Sequence, residues 1–439
     1  METSGAAAKE KRHLVRAIGR WSLAALMLNT VIGASVFGVP SLLAAHLGGL
    51  SVPGYLIAAV GVGIIAACLA EVASQFREAG GPYLYARAAF GRFVAVQIGW
   101  LTWLTRIASA AAVANLFIAY LKQFYPAVEA AGARAGILTG LIALLAVVNY
   151  RGVSGGTLLS NVFTVAKLGL LALLIVGGLL ALRLYPAIRV TPAAVSPSAA
   201  DWFDSLILMV YAYAGFEAAF LVSGEARDPR KDAPVALLIA LVTATLVFVS
   251  LQYVVLHTLP DAAATAKPAA DAAQRILGPM GGSLVAAGAL VCIYGYLSAN
   301  MLHTPRLTFA MGEQGDFPAW FARIHPRFRT PHVSIVVFAV LVAGFSIVGS
   351  FRWNAVLAAL SRLFIYGSIA AALPALRRKQ PQADAFRLPA GNVFAVLALA
   401  FTALLVTRVQ RSGLIVLAMT FAVALVNWWW ARGRIASQE

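Results

Sequence analysis

Long apolar runs dominate the sequence, and its polar residues gather in the short stretches between them. Each run is about 20 residues long, which in a helix matches the ~30 Å thickness of the bilayer hydrocarbon core. The runs do not follow the short apolar-polar alternation of outer-membrane strands, so they predict membrane-spanning helices rather than a barrel. The twelve predicted spans cover residues 20–45, 52–75, 90–121, 135–150, 156–184, 203–224, 233–258, 282–309, 332–350, 354–374, 392–408 and 412–431.

The predicted spans divide into two sets of five and a final pair. The unit of spans 1 to 5 (20–184) starts on one side of the membrane, and the unit of spans 6 to 10 (203–374) starts on the other side. An inverted repeat requires these opposite orientations. Any twelve-span protein meets this condition, so the repeat needs further support. Spans 11 and 12 occupy 392–431, and residues 1–19 and 432–439 form predicted cytoplasmic tails. The predicted fold class is therefore an all-α polytopic membrane protein.

Composition agrees with this architecture. Of the 439 residues, 61% are hydrophobic and 12% charged, against roughly 25% charged in soluble domains. The longest polar connections, 259–281 and 310–331, are too short for a soluble domain, so the function is expected to lie within the membrane bundle. The first span is longer than the apolar core of a secretory signal and leads directly into further spans, so it is expected to be retained.

The formal net charge of +17 is explained by topology. Of the 34 Lys and Arg residues, 22 lie on the loops of one side, nine on the other, and three within spans. The positive-inside rule then predicts a cytoplasmic-membrane protein with both termini in the cytoplasm, and argues against a nucleic-acid partner. Cys68 and Cys292 lie within spans and are typical of small buried hydrophobes, and the six histidines follow no metal-binding or catalytic spacing. We expect no metal, no cofactor and no enzymatic site.

Two of the predicted spans contain matching interruptions. Span 1 holds Gly33, Ala34 and Ser35 in the stretch VIGASVFGVP, and span 6 holds Ala214 and Gly215 just before the intramembrane Glu217. Each is the first span of a five-span unit, and paired interruptions at corresponding positions are the best sequence indication of a transporter's midplane site. The alternative is that the small residues only allow close helix packing. Glu217 favours the site, because an ionisable group at this depth is costly.

Four segments of the chain carry a resemblance to a known family. They are VIGASVFGVP (31–40), EVASQFREAGGPYLYARAAFGRFVAVQIGW (71–100), YAYAGFEAAFLVSGEARDPRKDAP (211–234) and PRLTFAMGEQGDFPAWFARIHPRFRTP (305–331). In this order they resemble the signatures of the amino acid, polyamine and organocation (APC) transporter superfamily. Two departures stand out. Ser35 replaces a common Gly, and Gly315-Asp316 reverses the usual order of acid and Gly.

The resemblance implies a LeuT-type fold of five plus five inverted helices with two more at the carboxyl end, alternating access, and an amino acid or related amine as substrate. At the first break, the amides of Gly33, Ala34 and Ser35 are expected to bind a carboxylate, since unpaired amides and the helix dipole favour an anion. Carbonyls near Ile32 and around the second break are expected to bind the ammonium. The carbonyls of that second group are those of Tyr211, Ala212 and Ala214, and Gly215 and Phe216 complete the expected substrate site. Ser35 adds a hydroxyl and narrows the site, unless the hydroxyl bonds back to its own helix.

Motif position implies a gate and a coupling residue. Tyr211 is the expected outer gate, with simple packing of its ring as the alternative. Lys167 lies about 17 Å into span 5, where it is expected to replace a sodium ion between spans 1 and 8, near Ser298; the alternative is an amine that only locks helices together. Glu217 either braces the broken helix or carries a proton. Arg106 and Arg362 are further intramembrane cations that either snorkel or pair with an acid such as Glu71 or Glu217.

These expectations combine into one functional hypothesis. The chain is expected to carry an amino acid, with a neutral side chain, by proton symport across the cytoplasmic membrane. Exchange of substrate for product on the same fold is the alternative, and the two differ in whether empty vesicles accumulate substrate. A membrane enzyme would need a catalytic constellation that the sequence does not contain, and a sensory or structural protein would have no use for two helix breaks. The expected partners are therefore the amino acid, the proton and the bilayer, and the oligomeric state is left open.

Overall fold

The apolar runs form helices in the computed structural model, which describes residues 20–76, 81–151, 156–219, 229–381, 385–408 and 411–435. The α-helices in those ranges are α1 (Arg20–Val31), α2 (Val39–Leu47), α3 (Ser51–Ser74), α4 (Gly81–Phe90), α5 (Arg92–Leu121), α6 (Ala131–Arg151), α7 (Gly156–Leu184), α8 (Ala199–Ala212), α9 (Phe216–Ala219), α10 (Pro229–Thr258), α11 (Pro268–Glu313), α12 (His332–Val348), α13 (Phe351–Lys379), α14 (Gly391–Val406) and α15 (Arg411–Ile435). The predicted tail 1–19 and the motif segments 77–80 and 220–228 lie outside the described residues.

Eight helical stretches within these ranges are long and apolar enough to cross a membrane. They are Val39–Ser74, Arg92–Leu121, Gly132–Arg151, Lys167–Leu184, Pro234–Thr258, Pro268–Glu313, Phe351–Lys379 and Gly413–Trp430. Two shorter apolar helices, α12 and α14, stand where spans 9 and 11 are predicted. Predicted spans 1 and 6 are each divided by a break, so neither forms one long helix. The all-helical, multi-span architecture is thus confirmed, and the count of twelve stays a prediction.

The region before span 8 differs from the prediction. The sequence predicts a polar connection up to residue 281, but α11 already begins at Pro268. Its first segment is rich in alanine, the strongest helix former, and starts with a proline that a first turn tolerates. Gly278 then takes a non-helical conformation (φ 74°, ψ −172°) ahead of Pro279. A short additional helix therefore joins the predicted span at a kink.

Helix packing brings the two halves of the chain together. The first part of broken span 1, α1, packs against α9 and α10, and the second part, α2, packs against α8. Three more contacts join α3 to α10, α5 to α11, and α6 to α12. The broken helices α1, α2, α8 and α9 thus meet one another inside the bundle.

Large apolar side chains cover the outer surface of the bundle. Examples on α6, α14 and α15 are Leu144, Val147, Val396, Val423 and Val426, each at least 48% exposed. A soluble protein rarely exposes so continuous an apolar surface, whereas a bilayer provides a matching environment for it. These helices are therefore placed to face lipid.

Candidate functional site

The interruption of span 1 frees backbone carbonyls at the end of α1. The amide of Ile32 makes the last regular bond, to Leu28 O at 2.8 Å, and the next amide, of Gly33, turns to Val31 O at 2.7 Å. A regular helix would direct the Gly33 amide to Asn29 O. That carbonyl and the next one, of Thr30, are therefore released from the helix.

Beyond Gly33 the chain re-enters helix through a short turn. Gly33 is extended (φ −82°, ψ −162°) and provides no side-chain cap to the 3₁₀ turn Ala34–Phe37. The first amides of such a turn have no partner inside it, so the buried amides of Ala34 and Ser35 are available to an anion. None of the described hydrogen bonds uses the Ser35 hydroxyl, and its proposed back-bond to the helix is not among them.

The interruption of span 6 lies directly against that of span 1. Helix α8 ends at Ala212 and α9 begins at Phe216. Between them Gly215 has φ +118°, and a Cβ built on it would lie 2.5 Å from Thr30 O and 3.3 Å from Val31 N. Both the backbone angle and the close approach require glycine here. The two predicted breaks therefore contact each other directly.

Glu217 ties the second break to α13. Its Oε2 accepts from the Gly215 amide at 2.9 Å and from the Tyr366 hydroxyl at 3.2 Å. Its Oε1 lies 3.1 Å from Arg362 Nε. Phe216 stacks on the Tyr366 ring with centroids 5.4 Å apart. The carboxylate is buried and engaged on both oxygens, which is the geometry of a brace, and it is the partner of Arg362.

Lys167 reaches the carbonyl that the first break releases. Its Nζ donates to Asn29 O at 2.8 Å and to Asn29 Oδ1 at 2.6 Å, and the residue is 9% exposed. A buried ammonium needs such acceptors. Ser298 is half-buried on α11, and no described hydrogen bond joins it to Lys167. The lysine therefore contacts span 1 just before its break, through a residue that the sequence analysis did not name.

Aromatic residues pack around the chain just after the first break. Tyr211 is 6% exposed and meets the Phe351 ring edge-on at 6.3 Å. That ring lies against the chain at Gly38, where an added Cβ would be 2.7 Å from it. Tyr120 donates to Phe37 O at 2.8 Å. Tyr211 thus contacts the ring that covers the chain just after the first break, and its role as a gate stays a prediction.

The carbonyls expected to bind an ammonium are not equally available. Tyr211 O already accepts from the Ala214 amide at 3.3 Å. Ile32 and Ala212 are fully buried, at 0% and 1% exposure, whereas Ala214 is half-buried. Of the four residues, Ala214 is therefore the most accessible.

A second junction joins the second and fourth quoted segments. Tyr83 on α4 donates to the buried Asp316 carboxylate, and Arg92 Nε lies 2.5 Å from Asp316 Oδ1. Asn427 on α15 donates to the Asp316 carbonyl at 2.6 Å. Burial and the adjacent Asp316 raise the pKa of Tyr83 well above its usual value, so its hydroxyl stays protonated and remains the donor. The reversed Gly315-Asp316 order still allows the acid to reach both partners.

Glu71 and Arg377 form a further ion pair, apart from the two breaks. Arg377 Nε and Nη2 each lie 2.7 Å from a Glu71 oxygen, and the Leu388 amide donates to the same carboxylate at 2.9 Å. Such a bidentate, charge-assisted pair is among the stronger hydrogen-bonded contacts in proteins. Glu71 is therefore not a partner of Arg106 or Arg362.

Broken helices in contact at mid-bundle, with buried charges bound to them, define a helical membrane transporter as the class of protein. The family within that class follows from sequence. A family model described as "Amino acid permease" matches residues 18–429, so the chain belongs to the amino acid permease family of the APC superfamily. The resemblance in the four motifs is thereby confirmed, and the family is one of transporters rather than enzymes.

Three curated relatives from Bacillus subtilis illustrate the breadth of the family. The chain is similar to a methylthioribose transporter, at 27% identity over 89% of this chain and 87% of the relative. It is 28% identical to a serine/threonine exchanger over 74% and 75% of the two chains. It is 24% identical to a branched-chain amino acid permease over 91% and 90%. All three are solute carriers, and they differ in substrate.

Proposed function

We propose that the protein is a secondary active transporter that carries an amino acid across the cytoplasmic membrane by alternating access, driven by proton symport. The observation that carries the proposal is the contact between the two breaks, Gly215 against Thr30 O, with Lys167 bound to the adjacent Asn29 carbonyl. Broken helices expose backbone donors and acceptors at mid-membrane, and such groups are tolerated there where they line a solute site.

The pattern of helix packing supports a LeuT-type inverted repeat. With α1 and α2 as span 1 and α8 and α9 as span 6, the packing of span 1 on span 7 is matched by that of span 6 on span 2, and the packing of span 3 on span 10 by that of span 8 on span 5. Such matched contacts are expected when the second five spans repeat the arrangement of the first five in inverted orientation. Helices α14 and α15 are then the two additional spans.

A zwitterion fits the groups at this contact. The amides of Ala34 and Ser35 are proposed to hold the α-carboxylate, since an anion is stabilised at the start of a helical turn. The carbonyls near Ile32 and Ala214 are proposed to hold the α-ammonium. Tyr211 and Phe216 flank the site, and Tyr211 is the proposed outer gate.

A neutral side chain is the best match to the charges of the site. Glu217 is the acid at this depth, and Arg362, Tyr366 and the Gly215 amide already engage it. No described carboxylate at the two breaks is left for a cationic side chain. Two of the relatives are named for serine, threonine or branched-chain amino acids, which are neutral.

Lys167 is the proposed coupling residue. Its ammonium occupies a cation position between α7 and the end of α1, and losing or gaining a proton there would change how firmly α1 is held. Coupling by this lysine would link the proton gradient to movement of span 1. The alternative is exchange of one substrate for another, and the similarity to a serine/threonine exchanger supports it.

The proposal is tested in two stages. Purified protein is first screened by thermal shift against the twenty amino acids and methylthioribose. The best ligand is then followed, radiolabelled, into proteoliposomes that are either empty under an inward pH gradient or preloaded with unlabelled ligand. A symporter accumulates label in the empty vesicles, whereas an obligate exchanger needs the preload. Stabilisation by methylthioribose alone, or by no ligand, would overturn the amino acid assignment.

A further inference from the structure

Three cations lie at mid-membrane depth in the described helices, with one acid among them. The cations are Arg106 on α5, Lys167 on α7 and Arg362 on α13, and the acid is Glu217. Two of the cations have partners, since Arg362 binds Glu217 and Lys167 binds Asn29. Other buried acids such as Glu71 and Asp316 are paired with arginines at helix ends. The described residues at the centre of the bundle therefore carry an excess of positive charge.

Among the described residues, Arg106 is the mid-membrane cation that has no side-chain partner. No hydrogen bond or ion pair joins its guanidinium to any described residue, and only its backbone carbonyl is used, by Asn300 Nδ2 at 3.3 Å. It stands 14 residues into α5, about 21 Å from the start of that helix. A half-buried guanidinium at this depth keeps its charge, because arginine does not lose its proton in proteins. It therefore needs water or an electron-rich ligand.

The surroundings of Arg106 place it near the second break. Helix α5 packs against α11 and α13, and its contact with the 3₁₀ turn of the first break lies further along the helix, at Leu116 and Tyr120. The guanidinium lies within electrostatic range of Glu217 and Tyr366, which brace the second break. One turn further along α5, Ser109 is 2% exposed and its hydroxyl has no partner among the described residues. A cation and a buried hydroxyl without a described partner thus lie on consecutive turns of a helix that contacts the first break, with the cation near the residues that brace the second.

We propose that Arg106 determines the charge selectivity of the substrate site by excluding side chains that carry a positive charge. The inference rests on the proposed function, because it assumes that the solute binds at the two breaks. A fixed guanidinium without a counter-ion repels a second cation, and at low local dielectric this repulsion is strong. A neutral or electron-rich side chain meets no such penalty, and a carbonyl or hydroxyl on it could accept a hydrogen bond from Arg106.

The test compares two amino acids of the same shape. L-Norleucine and L-ornithine differ in a terminal methyl against an ammonium, and norvaline with 2,4-diaminobutyrate provides a shorter pair if the site is small. Half-saturating concentrations are measured for both members by competition against the labelled ligand. Desolvation alone already favours binding of the neutral member. The informative quantity is therefore the ratio of the half-saturating concentration of the cationic member to that of the neutral member, and how far each variant changes it.

The expected result is specific to the charge at position 106. Arg106→Gln should lower the ratio by at least about tenfold, since it removes a nearby unit charge, whereas Arg106→Lys should retain it. Arg183→Gln, which removes an exposed arginine from the last turn of α7, is the matched control and should leave the ratio unchanged. Where Arg106→Gln does not fold, Ser109→Asp supplies a carboxylate one turn away and should lower the ratio in the same way.

Different results would overturn the selectivity role of Arg106 and the proposed amino acid transport. An unchanged ratio in folded Arg106→Gln, or in Ser109→Asp where it is used instead, would overturn the role of Arg106 and leave amino acid transport intact. An equal fall in Arg106→Lys would also overturn it, since geometry rather than charge would then be responsible. Absence of binding by every amino acid to the unmodified protein would overturn the transport proposal and the selectivity with it.

Discussion

Lys167 and Asn29 are joined by two hydrogen bonds, from Nζ to the backbone oxygen at 2.8 Å and to Oδ1 at 2.6 Å. The backbone oxygen is free for this contact because the Gly33 amide, its partner in a continuous helix, bonds to Val31 instead. The interruption at the proposed solute site therefore also creates the acceptor for the lysine. The break in span 1 and the position of the Lys167 amine therefore depend on the same change in the backbone.

Lys167→Ala is expected to abolish accumulation driven by a pH gradient while preserving exchange. The variant removes the cation that holds the end of α1, so proton gain and loss could no longer bias span 1. Uptake into empty proteoliposomes under the gradient should fall to the level without a gradient, and counterflow into preloaded vesicles should continue. Arg183→Gln serves as the charge-removal control. Full gradient-driven uptake by Lys167→Ala would leave the lysine a purely structural role.

Gly215→Ala is expected to disrupt the contact between the two breaks. The new Cβ would approach Thr30 O to 2.5 Å in a residue held at φ +118°. A strained backbone of this kind costs about 1–3 kcal/mol before the collision is added, so the apparent Tm and ligand binding should both fall. Gly136→Ala is the matched control, because nothing lies within 4 Å of its added Cβ. Its Tm should be unchanged or slightly raised. Equal behaviour of the two variants would show that the breaks do not depend on each other.

Glu217→Gln is expected to destabilise the protein more than removal of both members of its ion pair. The single change leaves Arg362 buried without a counter-ion, which costs about 3–5 kcal/mol. The double variant Glu217→Gln with Arg362→Met removes that unpaired charge and should recover part of the loss. Apparent Tm values of the two single variants and the double variant form the cycle. Additive losses would mean that the pair is not coupled, contrary to the bracing role.

Local sequence signals are sufficient to predict where the two breaks lie, but not which residues pair with the charged side chains. Small residues and an acid within an apolar run are visible directly, so the positions of Gly33 and Gly215 could be predicted. The partners required knowing which helices meet. Lys167 and Asn29 are 138 residues apart, and Tyr83 and Asp316 are 233 apart. No periodicity within one helix specifies such pairs.

The helix at the start of α11 was missed for a different reason. Residues 268–277 are polar enough to read as a loop between spans, yet their alanines favour helix and Pro268 starts it. Hydropathy identifies what crosses the bilayer and does not separate an outer helix from a loop. Asn29 had a weak signal, as a polar residue one turn before the break, but only the fold connects it to the lysine.

Asp316→Asn is expected to loosen the loop after α11. The change keeps the size of the side chain but removes the charge that Arg92 and the Tyr83 hydroxyl share. Because Arg92 is partly exposed, its charge can be hydrated, and the loss should be smaller than at Glu217, about 1–3 kcal/mol. Glu313→Gln, at an exposed position three residues earlier, is the control. Limited proteolysis near residue 316 and the apparent Tm are the measurements. Identical profiles for both variants would argue against the junction.

Ser35→Gly is expected to admit longer side chains into the substrate site. Ser35 is 6% exposed in the turn whose amides are proposed to hold the carboxylate, and its Cβ occupies space that the usual glycine leaves open. In a series from alanine through 2-aminobutyrate and norvaline to norleucine, the preferred length should increase, since one methylene changes binding by about 1–3 kcal/mol in an apolar pocket. Ser35→Ala keeps the Cβ and removes the hydroxyl, so its preferred length should match that of the unmodified protein. A shift in Ser35→Ala equal to that in Ser35→Gly would assign the selection to the hydroxyl, and no shift in either would move the side-chain pocket away from this turn.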